Sequence, residues 1–193
     1  MKNTIKFLTV LIAVFSFTFT ACDEVEKLAD VDFNSSLSGK YNLNFNPDAE
    51  EEVNESMTIN LADNSSISEY LNKLKKVKIT KITYQITQFT GSYEVDMNVG
   101  FYMNGTTIIT PKEYSLNTDK GVEYELTDAT ILKTISTTLL NNKQVTLQLK
   151  GNYESYQIPS KNQLTQKGEN TNVAPLTAEL KVTVYFEATA NAL

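Results

Sequence analysis

The chain has 193 residues, 23 acidic side chains against 17 basic ones, and a formal net charge of −6. Every basic residue is a lysine, and histidine, arginine and tryptophan are absent. The acidic balance excludes a nucleic-acid binder, whose partner demands clustered cations, and the missing histidine removes Ser-His-Asp, Cys-His and histidine-zinc chemistry everywhere.

In chain order, the N-terminus comes first. Lys2 and Lys6 precede an uncharged apolar run from Phe7 to Phe19, followed by the small pair Thr20-Ala21 and then Cys22, the single cysteine. The run is shorter than the roughly 20 residues a spanning helix needs, and its three-part layout is that of an export signal. Phe19-Thr20-Ala21-Cys22 resembles the cleavage and lipid-attachment box of bacterial lipoproteins, with Phe19 where the common pattern has Leu. The looser box, and a composition rich in Asn and Lys without Arg, resemble lipoproteins of the Bacteroidota. The resemblance covers residues 1 to about 26. It implies a signal peptide over 1–21, lipid attachment at Cys22, and the membrane as a partner through that lipid. It also implies the cell envelope: Asp23, Glu24 and Glu26 resemble an export signal to the surface of the outer membrane. In enterobacterial lipoproteins an Asp after the cysteine retains the protein in the inner membrane, which is the alternative. An acylated sulfur leaves no thiol for a disulfide.

Residues 22–38 are polar and acidic and read as a tether, leaving 39–193 as a single domain, a usual size for one core. Alternation then dominates. Tyr41, Leu43 and Phe45 share one face, as do Met57, Ile59 and Leu61. Ser66 with Glu69 reads as a capping box, opening a helix through Lys76 with Ile67, Tyr70, Leu71 and Leu74 on one side. In the strand Val77–Phe89 the parity flips between Ile79 and Ile82, which predicts a bulge near Thr80-Lys81. Val95, Met97, Val99, Phe101 and Met103 lie opposite Asp96, Asn98, Gly100 and Tyr102; Val122, Tyr124 and Leu126 opposite Glu123 and Glu125. Asp128 reads as the N-cap of a second helix carrying Ile131, Leu132, Ile135 and Leu139. Val145, Leu147, Leu149 and Tyr153 form the next inward row, Glu154 to about Leu176 a long polar connection, and Leu180 to Phe186 a last strand.

Many strands with one wet face predict a mostly β fold: an antiparallel β-sandwich, loosely immunoglobulin-like, with two short helices. A lipocalin-like barrel is the alternative. The two strand-helix-strand stretches read equally as a duplication or as two helical crossovers plugging the sandwich.

The chain lacks a Ser-x-x-Lys, a Gly-x-Ser-x-Gly and a Gly-rich phosphate loop, so no catalytic residue, metal ligand or cofactor is assigned. Asp30-Val31-Asp32-Phe33-Asn34 matches the start of a calcium loop, but Ser35 and Tyr41 stand where Gly and Glu are required. Glu50-Glu51-Glu52 beside Asp48 reads as a solvated charge run. Lys73, Lys75, Lys76, Lys78 and Lys81 form a basic cluster that suits lipid phosphates or an acidic glycan. The structural account is stronger: three sit at a helix C-terminus, where the dipole favours cations, and Lys78 and Lys81 lie near the bulge. Tyr102 and Tyr185 on polar strand faces, with Tyr153 and Tyr156 opening the long connection, are the candidate partner-binding residues, since exposed aromatics stack on sugars or anchor proteins. The expected function is a non-catalytic, lipid-anchored envelope module for a protein or glycan partner. The alternatives are a small-ligand carrier with an apolar cavity, a glycoside hydrolase using two carboxylates, and a purely structural envelope protein.

Overall fold

The computed structural model describes residues 29–157 and 176–192. The signal, Cys22 and most of the long polar connection lie outside the described residues. Eight strands form: β1 (Asp30–Phe45), β2 (Glu50–Asn60), β3 (Leu74–Thr90), β4 (Tyr93–Met103), β5 (Thr106–Ser115), β6 (Glu123–Leu126), β7 (Gln144–Gln157) and β8 (Leu176–Asn191). They make two four-stranded antiparallel sheets, sheet A in the order β1-β8-β3-β6 and sheet B in the order β2-β7-β4-β5. The mostly β sandwich is therefore as expected, and no closed barrel forms. Only β4 to β5 stays within one sheet, through an Asn104-Gly105 turn with both residues at positive φ, which suits the right-handed twist of a hairpin. The other connections pass between the sheets, which is the connectivity of an eight-stranded jelly roll.

Residues 30–38, expected to be tether, are strand instead. Asp30 to Ser38 pair residue for residue with Asn191 to Thr183 of β8, and Phe33 packs against Tyr70 with ring centroids 5.2 Å apart. The polar sequence misleads because β1 is an edge strand, half-wet along this stretch. Strand β3 shifts register against β8 at three places, between Leu74 and Lys76, Ile79 and Lys81, and Ile86 and Gln88; the second is where the parity flip put a bulge.

The two interruptions between strands differ from each other. Residues 68–73 form only a short 3-10 helix (Ser68–Lys73), with no side-chain bond at its N-cap Ile67, so the Ser66 capping box is not made. Asn64 does that work instead: its Oδ1 accepts from the Ser66 N–H at 3.0 Å, and its Nδ2 donates to Ser35 Oγ at 2.7 Å. The expected helical residues from Leu74 on are claimed by β8, because Leu74 already pairs with Ala190. The second helix, α1 (Ala129–Asn142), forms as predicted, with the Asp128 carboxylate accepting from the N–H groups of Thr130 and Ile131. Thr134, Thr137 and Thr138 each donate to the carbonyl four residues back, which satisfies their hydroxyls without adding to helix stability. Lys143 closes it in the left-handed region at φ 63. Both segments carry the chain between sheets, in opposite senses, and they meet where the Leu61 N–H donates to the Lys143 carbonyl at 2.8 Å.

Helix α1 also solves an edge problem. Strand β6 pairs only with Ile82 to Gln85 of β3, and among the described residues no strand neighbours the earlier part of β3 on that side. An open edge invites pairing with another chain. Ser136 on α1 stands in for the missing strand: its Oγ accepts from the Ile79 N–H at 2.8 Å and donates to the Leu132 carbonyl at 2.7 Å. Ile135 and Leu139 beside it are fully buried.

On the outer face of sheet A, Glu179 ties three strands together. It accepts from Lys40 of β1 at 2.8 Å and from Thr87 of β3 at 2.6 Å. Those bonds, led by the lysine, hold its carboxyl below the usual carboxylate range. In the core, Tyr41 donates to the Leu147 carbonyl at 3.0 Å, and Tyr84, Tyr114, Tyr124 and Phe101 pack in edge and stacked contacts.

Two outcomes follow from these contacts. Ser136→Ala leaves a buried N–H without a partner and lowers unfolding free energy by about 1–3 kcal/mol, read by urea denaturation. For Glu179 the depressed folded-state pKa means its contribution is present above the unfolded-state value and is lost as pH falls through the folded-state one. Stability measured from neutral pH into the acid range should therefore fall less steeply in Glu179→Gln than in the parent.

Candidate functional site

The outer face of sheet B is built by the residues that alternate away from the core on its four strands. Asp96, Asn98 and Tyr102 come from β4; Lys150, Asn152, Glu154 and Tyr156 from β7; Glu52 and Asn54 from β2; Glu113 from β5. Register aligns them in cross-strand rows. Asp96 lies opposite Glu154 and Ser115, Asn98 opposite Asn152 and Glu113, and Asn54 opposite Lys150.

Between the asparagine row and Tyr102 the outward row is occupied on β4 by Gly100. A Cβ there would lie 2.6 Å from the Ile109 carbonyl oxygen, and one on the neighbouring Gly151 would lie 1.9 Å from that of Asn98. Neither position accepts a side chain, so the strands approach closely, and at Gly100 the outward row is bare. Two shallow depressions result. One, of about 420 Å³, is lined by Asp96, Asn98, Glu113, Asn152 and Glu154. The other, of about 480 Å³, is lined by Glu52, Asn54, Tyr102, Pro111 and Lys150. Asn98 of the first and Tyr102 of the second flank Gly100 on β4, so the two run on as one trough.

An aromatic stands at each end. The Tyr102 ring is half-buried with the Lys150 ammonium 6.0 Å from its centroid, within reach of a cation–π attraction. Tyr156 pairs with Glu94 at the far end and is 39% exposed. Its hydroxyl donates to Asp96 at 2.9 Å, and the carboxylates of Asp96 and Glu94 push its pKa up, so it stays a donor.

The four tyrosines singled out from sequence are therefore divided. Tyr102 lines the trough, and Tyr156 stands on the same face just beyond it, bonded to Asp96 of its lining. Tyr185 lies on sheet A, 37% exposed, with the Lys81 ammonium 5.8 Å from its ring centroid. Tyr153 is 3% exposed and is no contact for a partner. It accepts from the Asn46 N–H at 2.9 Å, donates to Glu51 at 3.0 Å, and meets Phe45 edge-on. With Ser155, whose Oγ donates to the Asn46 carbonyl, it latches the β1–β2 corner onto β7. Strand β7 runs on to Gln157, so Tyr153 is a strand residue and its inward parity decides its place. Asn98 and Asn152 were legible as polar-face residues, but nothing local showed that they face each other across two strands.

The remaining acidic runs are structural. Asp30 pairs with Lys75 and Asp32 accepts from Thr189, so the calcium-loop match is strand. Among the described residues no three acidic or thiol groups converge to hold a metal. Between the sheets, the hollow beside Tyr84, Met97, Phe101 and Tyr114 encloses about 10 Å³, room for one water at most. No helix among the described residues is long and apolar enough to cross a membrane.

No protein-family model matches the chain. No curated protein matches it either. Among solved structures it is similar to that of Desmodium yellow mottle tymovirus, with 13% identity and a TM-score of 0.37 over 83% of this chain and 90% of that one. It is also similar to the structure of the Gx strain of infectious bursal disease virus, with 8% identity and a TM-score of 0.24, over 85% of this chain and 37% of that one. Values this low bear on no residue of the trough.

Proposed function

We propose that the chain is a lipid-anchored module of the cell envelope that binds an uncharged or amino-bearing glycan along the outer face of sheet B, without catalysis. The observation that carries this reading is the trough itself. A tyrosine at either end offers a face for a sugar ring. Between them, Asn98 and Asn152 both donate and accept, while Glu113, Glu154 and Glu52 accept from hydroxyls. Sugar hydroxyls need that mixture of partners. The same carboxylates repel acidic glycans.

The other classes have less to rest on. A carrier needs an apolar cavity of several hundred cubic ångströms, and the described hollow between the sheets is far smaller. A retaining or inverting hydrolase needs one carboxyl kept protonated by an apolar wall; Glu113 and Glu154 stand exposed on an open face. The anchor reading rests on Phe19 to Cys22 and on the acidic residues that follow.

Binding is tested by affinity electrophoresis of the processed chain through a panel of neutral polysaccharides. Tyr102→Ala should weaken retardation by about tenfold on the glycan that retards the parent. Tyr185→Ala, on the opposite sheet, should leave it unchanged. No retardation on any neutral glycan, or equal loss from both variants, overturns the assignment. The anchor is tested separately: intact mass of the protein from its own cells should show acyl groups on a polypeptide beginning at Cys22, and Cys22→Ala should move the protein out of the membrane fraction.

A further inference from the structure

Along the β3 edge that α1 covers, the two elements leave a groove of about 560 Å³ whose exposed lining is mostly apolar. Val77, Leu132 and Leu140 form its floor, and Lys76, Lys78 and Lys133 stand around it. No carboxylate lines it, although the chain as a whole carries a net −6. Lys78 is paired at 3.2 Å with Glu187, an exposed ion pair of the kind that contributes little. Lys76 and Lys133 are exposed, and neither has an ion-pair partner among the described residues.

The position of this groove relative to the chain's N-terminal side matters. Asp30, the first residue of β1, is held at 2.6 Å by Lys75, the immediate neighbour of Lys76. Cys22 lies eight residues earlier, which limits its distance from Asp30 to about 28 Å even in a fully extended chain. A lipid on Cys22 would thus hold this lysine-bearing flank close to the bilayer surface. Lysines around an apolar floor match what such a surface presents: phosphates outside and glycerol with acyl carbons just beneath.

We propose that the groove between α1 and the first half of β3 docks on the anionic headgroup layer of the membrane, Lys76 and Lys133 on phosphates and Leu132 with Leu140 against the acyl boundary. The proposal rests on the lipid-anchor reading for its geometry, and its test leaves the lipid out. Residues 1–21 contain none of the described fold, so the chain from residue 22 with Cys22→Ser is mixed with vesicles and floated. Vesicles of phosphatidylcholine alone are compared with vesicles containing a third phosphatidylglycerol. Partitioning onto the anionic vesicles is expected, released by raised salt, and absent from the neutral ones. Lys76→Glu with Lys133→Glu should lower it by more than about tenfold, while Lys120→Glu with Lys181→Glu should leave most of it. Unchanged melting of both doubles shows that folding is not the cause. Equal partitioning onto neutral vesicles, or equal loss in the two doubles, overturns the docking site. A bare Cys22 in the processed protein would remove the anchor while leaving the vesicle result to stand or fall alone.

Discussion

Strand β8 lies inside sheet A, and both of its edges are occupied. On one side all sixteen residues of β1, from Asp30 to Phe45, pair with it; on the other, β3 pairs from Leu74 to Thr90. Sheet A therefore cannot exist until the last strand of the chain has been inserted between the first and the third. Everything built on that sheet inherits the constraint: the buried row Leu180, Val182, Val184 and Phe186, the Glu179 link between Lys40 and Thr87, and the ion pair between Asp30 and Lys75. Pairings this remote in sequence bring loop-closure entropy ahead of any reward, so folding of such a chain is slow. Until β8 arrives, β1 and β3 expose long edges, and α1 with Ser136 protects the stretch of β3 that no strand covers among the described residues.

How much of this was legible follows from the range of each interaction. Facing is a property of neighbours along the strand, and the parity of Val95 to Met103 or Val145 to Tyr153 placed those side chains correctly. The bulge near Thr80 is equally local. The Asp128 cap was legible because its acceptor and donors lie within three residues. Partnership across strands is not local. Nothing near Asn98 announces Asn152, and nothing near Ser136 announces Ile79. The helix expected up to Lys76 fails for the same reason: its local periodicity was sound, but β8 offers Leu74 and its successors a full ladder, worth more than one further turn. Residues 30–38 look like tether because an edge strand at the rim of a sandwich has little apolar surface to show. Strand β5 gave even less, since Thr106, Thr107, Thr110, Pro111 and Lys112 interrupt the alternation and only Ile108 and Tyr114 are buried. Tyr153 is a different case. Its parity was available and pointed inward, and only the expectation of a loop beginning at Glu154 set it among exposed residues.

Jelly-roll connectivity also sorts charge between the two outer faces. The chain alternates between sheets at nearly every step, so residues close in sequence are sent to opposite sides of the molecule. Glu52 and Asn54 go to sheet B, while Lys76 and Lys78 of the next strand go to sheet A. The result is a carboxylate- and amide-lined trough on one face and a lysine-rimmed groove on the flank of the other. Neither is visible as a cluster in sequence except for the lysines between 73 and 81, and among those only Lys76 and Lys78 line the groove.

The two faces are also related in direction, which ties the proposed activities to each other. The sheets of a sandwich pack back to back about 10 Å apart, so their outer surfaces look in opposite directions. If the outer flank of β3 and α1 lies on headgroups, the trough on sheet B points away from the bilayer, toward whatever glycan lies beyond it. A free-swinging domain on a tether of eight residues would spend part of its time with that trough against the membrane, where large polymers cannot reach. Docking through Lys76 and Lys133 restricts those orientations without touching the trough, so its contribution to glycan capture would come through orientation on the membrane and would be absent in solution. With a lipid on Cys22, the Asp30–Lys75 pair would join the two ends of this arrangement, because it holds the start of β1 beside the groove.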